Sequence, residues 1–177
     1  KSEIMKGKRG LIMGVANDHS IAWGIAKTLH EHGAELAFTY MGESILRRLE
    51  PLASSLGSEL MVECDVSSED KVKEAFKILG KEWPEIDFIV HAVAYSDKEE
   101  LKGRYLDTSL ENFLKTMHVS CYSFTSVMRE ASKLMTDGGT AITLTYLGAQ
   151  RVMPNYNVMG VAKAALETST KYLAADL

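Results

Sequence analysis

Short apolar runs alternate along this chain with longer stretches in which apolar residues recur every three or four positions. Gly10-Leu11-Ile12-Met13-Gly14-Val15 has the length and composition of a buried strand. After it, Ser20 is placed to cap a helix whose Ile21, Ile25 and Leu29 fall on one face, and Gly33 ends that helix. The pattern then repeats with a strand from Glu35 to Tyr40, a helix from Ser44 to Ser55 disturbed by Pro51, and a strand from Leu60 to Cys64. Ser67, with Asp70 three residues on, opens a third helix that stops at Pro84. Asp87 to Ala92 is nearly all apolar, as in a strand covered on both faces. Thr108 and Glu111 form a capping-box pattern ahead of a long helix that includes Phe113, Met117, Tyr122, Phe124 and Met128. Gly138-Gly139 turns the chain into a fifth strand, Thr140 to Tyr146, and an alanine-rich helix is still running at Leu177. Strands and helices that alternate over short connections predict an α/β fold, a doubly wound parallel sheet of Rossmann type with right-handed crossovers, in a single domain over residues 1–177.

Composition narrows the class of ligand. The 177 residues are 46% hydrophobic and 25% charged, the balance of a globular protein. A net charge of -4 lacks the basic footprint of a nucleic-acid binder, so a small molecule or another protein is the expected partner. Cys64 and Cys121 lack Cys-x-x-Cys spacing and sit in core-like sequence, which suits a structural role in a reducing, cytoplasmic compartment. The five histidines show no metal spacing, because His30 and His32 cannot share a helix face, and no metal site is expected. No segment has the ~18 uninterrupted apolar residues of a membrane span. The start at Lys1 leaves room for a targeting segment already removed.

Ligands of a doubly wound sheet bind beyond the carboxyl ends of its strands, where the strand order reverses. After the first strand, Gly14 to Gly24 offers small residues and a helix N-terminus whose N–H groups could meet a pyrophosphate, although a structural turn would explain the same residues. After the second strand, Thr39, Tyr40, Met41 and Gly42 supply neither an acid for a ribose hydroxyl nor an arginine for a 2′-phosphate. Glu43, Arg47 and Arg48 lie just beyond, so the choice between NADH and NADPH stays open. Asp65-Val66 places a carboxylate and an N–H where adenine would lie, and a cap for the loop before Ser67 is an equal alternative for Asp65.

Tyr156 and Lys163 raise a sharper possibility. On a helix, seven residues advance about 700°, within ~20° of two full turns, so both side chains would lie on one face about 10 Å apart along the axis. Gly160 and Ala164 on the neighbouring stripe would let something pack close to the helix backbone, and the lysine can extend back toward the helix start. An ammonium about 4 Å from the phenol oxygen would favour the phenolate by up to ~4 kcal/mol at an effective dielectric of 20, before solvent reduces it. An amphipathic boundary with a snorkelling lysine is the competing reading of the pair alone.

Taken together, Gly14-x5-Ser20-Ile21-Ala22-x-Gly24, Asp65-Val66, the run Ser96 to Tyr105, Tyr146-Leu147-Gly148-Ala149 and Tyr156-x6-Lys163 resemble the bacterial enoyl-acyl-carrier-protein reductases of the short-chain dehydrogenase/reductase superfamily. The likeness runs from about Lys6 to the last residue, and its most specific element is Tyr-x6-Lys, where ordinary superfamily members have Tyr-x3-Lys. The resemblance implies an NADH-dependent oxidoreductase acting on trans-2-enoyl thioesters of acyl-carrier protein, a homotetramer in this family. It implies Tyr156, Lys163 and Tyr146 as catalytic residues, with Tyr156 bonding the thioester carbonyl and Tyr146 lining the acyl pocket. Gly14, Ser20, Ile21, Met41, Asp65, Val66, Val93 and Lys163 match cofactor-contacting positions, and Ser96 a substrate-contacting one.

The sequence departs from the family pattern in His91-Ala92-Val93-Ala94, where many relatives have glycine, and at Met41, where glutamine is common. Family members also continue with further strands and a substrate lid, so the chain is expected to be incomplete at its C-terminal side. A carbonyl reductase and a dinucleotide-sensing module are the alternatives. The first would call for Tyr-x3-Lys, and the second would not need both Tyr156 and Lys163.

Overall fold

Every strand of the sheet is short and parallel to its neighbours. The computed structural model describes residues 2–177, and its strands are β1 (Arg9–Met13), β2 (Glu35–Tyr40), β3 (Met61–Glu63), β4 (Phe88–His91) and β5 (Thr140–Thr143). They lie in the order β3-β2-β1-β4-β5, so the chain winds outward from β1 to one edge and then returns to build the other. The order reverses between β1 and β4, which pair in register from Gly10 with Phe88 to Met13 with His91. The switch point of the fold therefore falls beyond Met13 and His91, at Gly14 and Ala92.

The helices are α1 (Ile21–Glu31), α2 (Glu43–Ser55), α3 (Glu69–Glu82), α4 (Leu110–Met117), α5 (Ser123–Ala131) and α6 (Val158–Asp176). The structure corrects two helix starts and one helix face. Ser68 rather than Ser67 caps α3, its hydroxyl accepting from the Lys71 N–H. Ser109 rather than Thr108 caps α4, accepting from the Asn112 N–H. The face of α1 that enters the core is Ala22, Trp23 and Ala26, not the Ile21 stripe, and Ile21 is 71% exposed. Alanine side chains let that helix lie close to β1 and β2. The long fourth helix is interrupted by a π turn at His118–Tyr122, and α2 runs through Pro51 despite the missing N–H.

The chain falls into two compact units, one running through Ala92 and resuming at Glu130–Thr143, the other comprising Val93–Arg129 and Leu144–Leu177. The first holds the sheet, and its core gathers Ile12, Leu36, Phe38, Leu49 and Val90 with Trp23 and Ala26 of α1. In the second, α6 packs on α4, on the π turn and on the 3-10 turn Leu147–Ala149, burying Val158, Ala162 and Leu166. Among the described residues no helix is long and apolar enough to cross a membrane.

Candidate active site

In the first unit the turn after β1 needs glycine twice over. Gly14 has φ +106, and a Cβ there would run into the Ala92 carbonyl oxygen. Ser20 occupies the N-cap position of α1 but its side chain does not cap the helix. Its Oγ accepts instead from the Ala16 N–H at 3.0 Å and the Asn17 N–H at 3.2 Å, drawing the loop into a tight bend. The first-turn amides of α1, at Ile21 and Ala22, consequently receive nothing from the Ser20 hydroxyl. An uncapped N-terminus behind a glycine turn is suited to an anionic group.

The remaining cofactor positions of this unit differ in character. Met41 is 59% exposed, as expected of a side chain that covers a flat ligand or nothing. Val66 is buried. Asp65 Oδ1 accepts from the Ser67 N–H at 2.9 Å and the Ser67 hydroxyl at 2.6 Å, so the capping alternative for this carboxylate is in place. Beside it, burial pushes the Cys64 thiol up to about 11, with Asp65 adding to the shift, which leaves that cysteine unreactive.

The second unit holds Val93, Ser96, Tyr146, Tyr156 and Lys163. Tyr156 is not on the helix, as the spacing argument required. It lies in the turn before α6, whose N-cap is Asn157, and its carbonyl accepts from the Met159 N–H at 2.9 Å. The ring packs against Gly148, where any Cβ would strike it, and meets the Tyr146 ring at 4.8 Å between centroids. Gly160 completes this packing, since a Cβ there would stand 2.6 Å from the Gly148 carbonyl oxygen. The small-residue stripe thus receives the Leu147–Ala149 turn on which Tyr156 rests.

Lys163 is buried and its Nζ donates to the Leu144 carbonyl at 2.8 Å. Burial pushes its amine below the ordinary 10.5, with Cys121 opposing weakly. The expected pull of the ammonium toward a phenolate does not govern Tyr156. Burial first, and Tyr146 second, push that phenol above the ordinary 10.0, so it keeps its proton. A phenol held in this state can donate a hydrogen bond.

Ser96 sits in a polar cluster that sequence reasoning missed. Its buried Oγ accepts from Asn112 Nδ2 at 3.1 Å and from the Thr116 hydroxyl at 2.9 Å, while Asn112 Oδ1 accepts from the Asp97 N–H at 3.0 Å. Ser120, one helical turn further, takes the Tyr95 N–H and gives its proton to the Tyr95 carbonyl, both at 2.9 Å. Asn112, Thr116 and Ser120 recur every four residues within an otherwise apolar pattern, which was the available signal. The charged run from Asp97 to Arg104 is largely exposed. It forms a 3-10 turn at Lys98–Leu101, and the Glu100 carboxylate accepts from Ser109 N–H at 2.6 Å and Ser109 Oγ at 2.8 Å.

A parallel sheet that switches direction at a glycine turn, followed by a tyrosine and a buried lysine, defines the doubly wound, Rossmann-type class. The comparisons with known proteins then narrow the class. The family model "Enoyl-(Acyl carrier protein) reductase" matches residues 14–177, and the chain belongs to that family. It is 58% identical over 173 residues to enoyl-[acyl-carrier-protein] reductase [NADH] 2 of Rhizobium meliloti, covering 98% of this chain and 65% of that one. Among solved structures it is similar to the FabI of Candidatus Liberibacter asiaticus, with TM-score 0.98, 57% identity, and 99% and 68% of the two chains covered. It is also similar to the reductase of Anaplasma phagocytophilum in complex with NAD, with TM-score 0.97, 59% identity, and 100% and 68% covered. The chain thus spans 65% of the length of the Rhizobium relative.

Proposed function

We propose that this protein reduces the trans-2 double bond of enoyl thioesters carried on acyl-carrier protein, with NADH as the reductant, the closing step of a fatty-acid elongation cycle. The observation that carries the reading is the half-buried Tyr156 ring set at a tilt against Tyr146, with Lys163 buried in the same unit. The NADH-dependent names of the relatives and the NAD held by the Anaplasma structure support the same chemistry. The turn after β1 fits the cofactor's pyrophosphate because the Ser20 side chain leaves the first amides of α1 uncapped.

When bound, NADH supplies a hydride to the β-carbon of the enoyl chain. Tyr156 donates a hydrogen bond to the thioester carbonyl oxygen, and that bond strengthens as negative charge builds there. The enolate then takes a proton from solvent water at the α-carbon, so one hydride and one proton add across the double bond. Lys163 would hold the nicotinamide ribose hydroxyls, and its charge would favour the enolate. Tyr146 lines the acyl pocket and Ser96 contacts the substrate. Gly14, Ser20, Ile21, Met41, Asp65, Val66 and Val93 hold the rest of the cofactor.

The free, buried Cys64 and Cys121 fit a cytoplasmic enzyme. The exposed Leu110 and Leu114 of α4 fit burial between subunits of a homotetramer. The test is to mix the purified protein with NADH and crotonyl-CoA and follow the reduced-nicotinamide absorbance. Loss of absorbance is the expected result. Turnover of ketones alone would instead identify a carbonyl reductase, and binding without turnover a sensing module.

A further inference from the structure

Tyr156 is followed by a residue in an unusual backbone conformation. Asn157 has φ 41 and ψ -122, a region that side chains other than glycine's rarely occupy, and Asn155 on the other side of the tyrosine has φ 59. Such a conformation persists only when its surroundings hold it. The holding group is the Asn157 side chain itself. Its Nδ2 donates toward the carbonyls of Glu100 at 3.3 Å, Leu101 at 3.2 Å and Gly103 at 3.3 Å. These oxygens converge at the end of the Lys98–Leu101 turn, where a short helix leaves its carbonyls without partners of its own.

The turn that receives this amide is itself anchored. The Glu100 carboxylate is bound to the N–H and hydroxyl of Ser109, Ser109 caps α4, and Asn112 one turn on holds Ser96 and the Asp97 N–H. A continuous set of hydrogen bonds therefore runs from the tyrosine-bearing turn to the loop that carries Ser96. We propose that Asn157 is a positioning residue for Tyr156, its amide fixing the direction of the phenol by tying the turn before α6 to the carbonyls of residues 100–103. The inference rests on the reading of Tyr156 as the proton-holding donor of the reaction.

Asn157→Gly separates this role from mere tolerance of a left-handed backbone, because glycine adopts the same φ and ψ freely but carries no amide. In the purified protein, hydrogen exchange over residues 100–104 and 155–159 should quicken at least about tenfold in the variant, while exchange within β1 and β4 stays as it was. For crotonyl-CoA reduction kcat should fall roughly 10- to 100-fold, with the KM for NADH unchanged. Unchanged exchange in the two segments overturns the tie. Faster exchange with unaltered kcat overturns the positioning role. Should Asn157→Gly prove too unstable to purify, Asn157→Asp removes the donor and tolerates the same backbone, and the same changes in exchange and kcat are expected of it. A wild-type protein without enoyl turnover would defeat the proposed reaction, and the exchange data would still decide the tie by themselves.

Discussion

Each of the two units of this chain is stabilised internally by a different physics. In the sheet-bearing unit the interior is chiefly apolar side chains on a backbone ladder, with Phe38, Leu49 and Ile12 at essentially no exposure and, among the described residues, only Thr39, Ser58 and His91 as buried polar groups. In the unit that carries Tyr156 the buried polar groups Ser96, Asn112, Thr116 and Ser120 are paired with one another or with the Tyr95–Asp97 backbone, and Lys163 is tied to a carbonyl. His118 Nε2 is an exception, buried without a partner while its ring meets Tyr122 edge-on at 5.7 Å. Apolar burial is non-directional and tolerates small adjustments, whereas a hydrogen bond fixes direction. The first unit is accordingly built as a scaffold and the second to orient particular atoms.

The contrast is open to direct attack. Phe38→Ala, which opens a cavity beneath Trp23, should cost about 3–5 kcal/mol of stability by denaturant unfolding. Its enoyl turnover, normalised to folded protein, should change little. Tyr156→Phe should do the reverse, lowering kcat by roughly 10²–10³ while the unfolding midpoint barely moves. An equal loss of stability in both variants would erase the distinction between the two units.

The smallest effect concerns protons. Burial and Tyr146 hold the Tyr156 phenol above the ordinary 10.0, so in a tyrosine-selective NMR titration its midpoint should lie above that value. Tyr146→Phe removes the second cause, and the midpoint should move down toward 10.0. The folded state keeps this proton after the unfolded chain begins to lose it. The stability linked to Tyr156 is therefore complete below pH 10.0 and disappears as pH rises through the folded midpoint.

The strand runs were legible because a buried parallel strand must be apolar throughout, and the stretches around Leu11, Phe38 and Ile89 could be little else. Helix starts were less legible, because Ser67-Ser68 and Thr108-Ser109 each offer adjacent capping groups and the sequence does not rank them. Tyr156 and Lys163 were found by their spacing, although the helical geometry assumed for them fails at Asn157. The Asn157 amide went unread because its partners lie 54 to 57 residues away in the chain, and Asn112 because Asp97 and Ser96 lie 15 and 16 away.

Residue order alone determined the alternation of strand and helix, the glycine after β1 and the chemical identity of the tyrosine and lysine, since each depends on local sterics or on side-chain type. Tertiary structure decided where those groups point and how they hold protons. Burial and Tyr146 raise the Tyr156 phenol, burial lowers the Lys163 amine, and the Leu144 carbonyl fixes where that amine points, through atoms that only folding brings near.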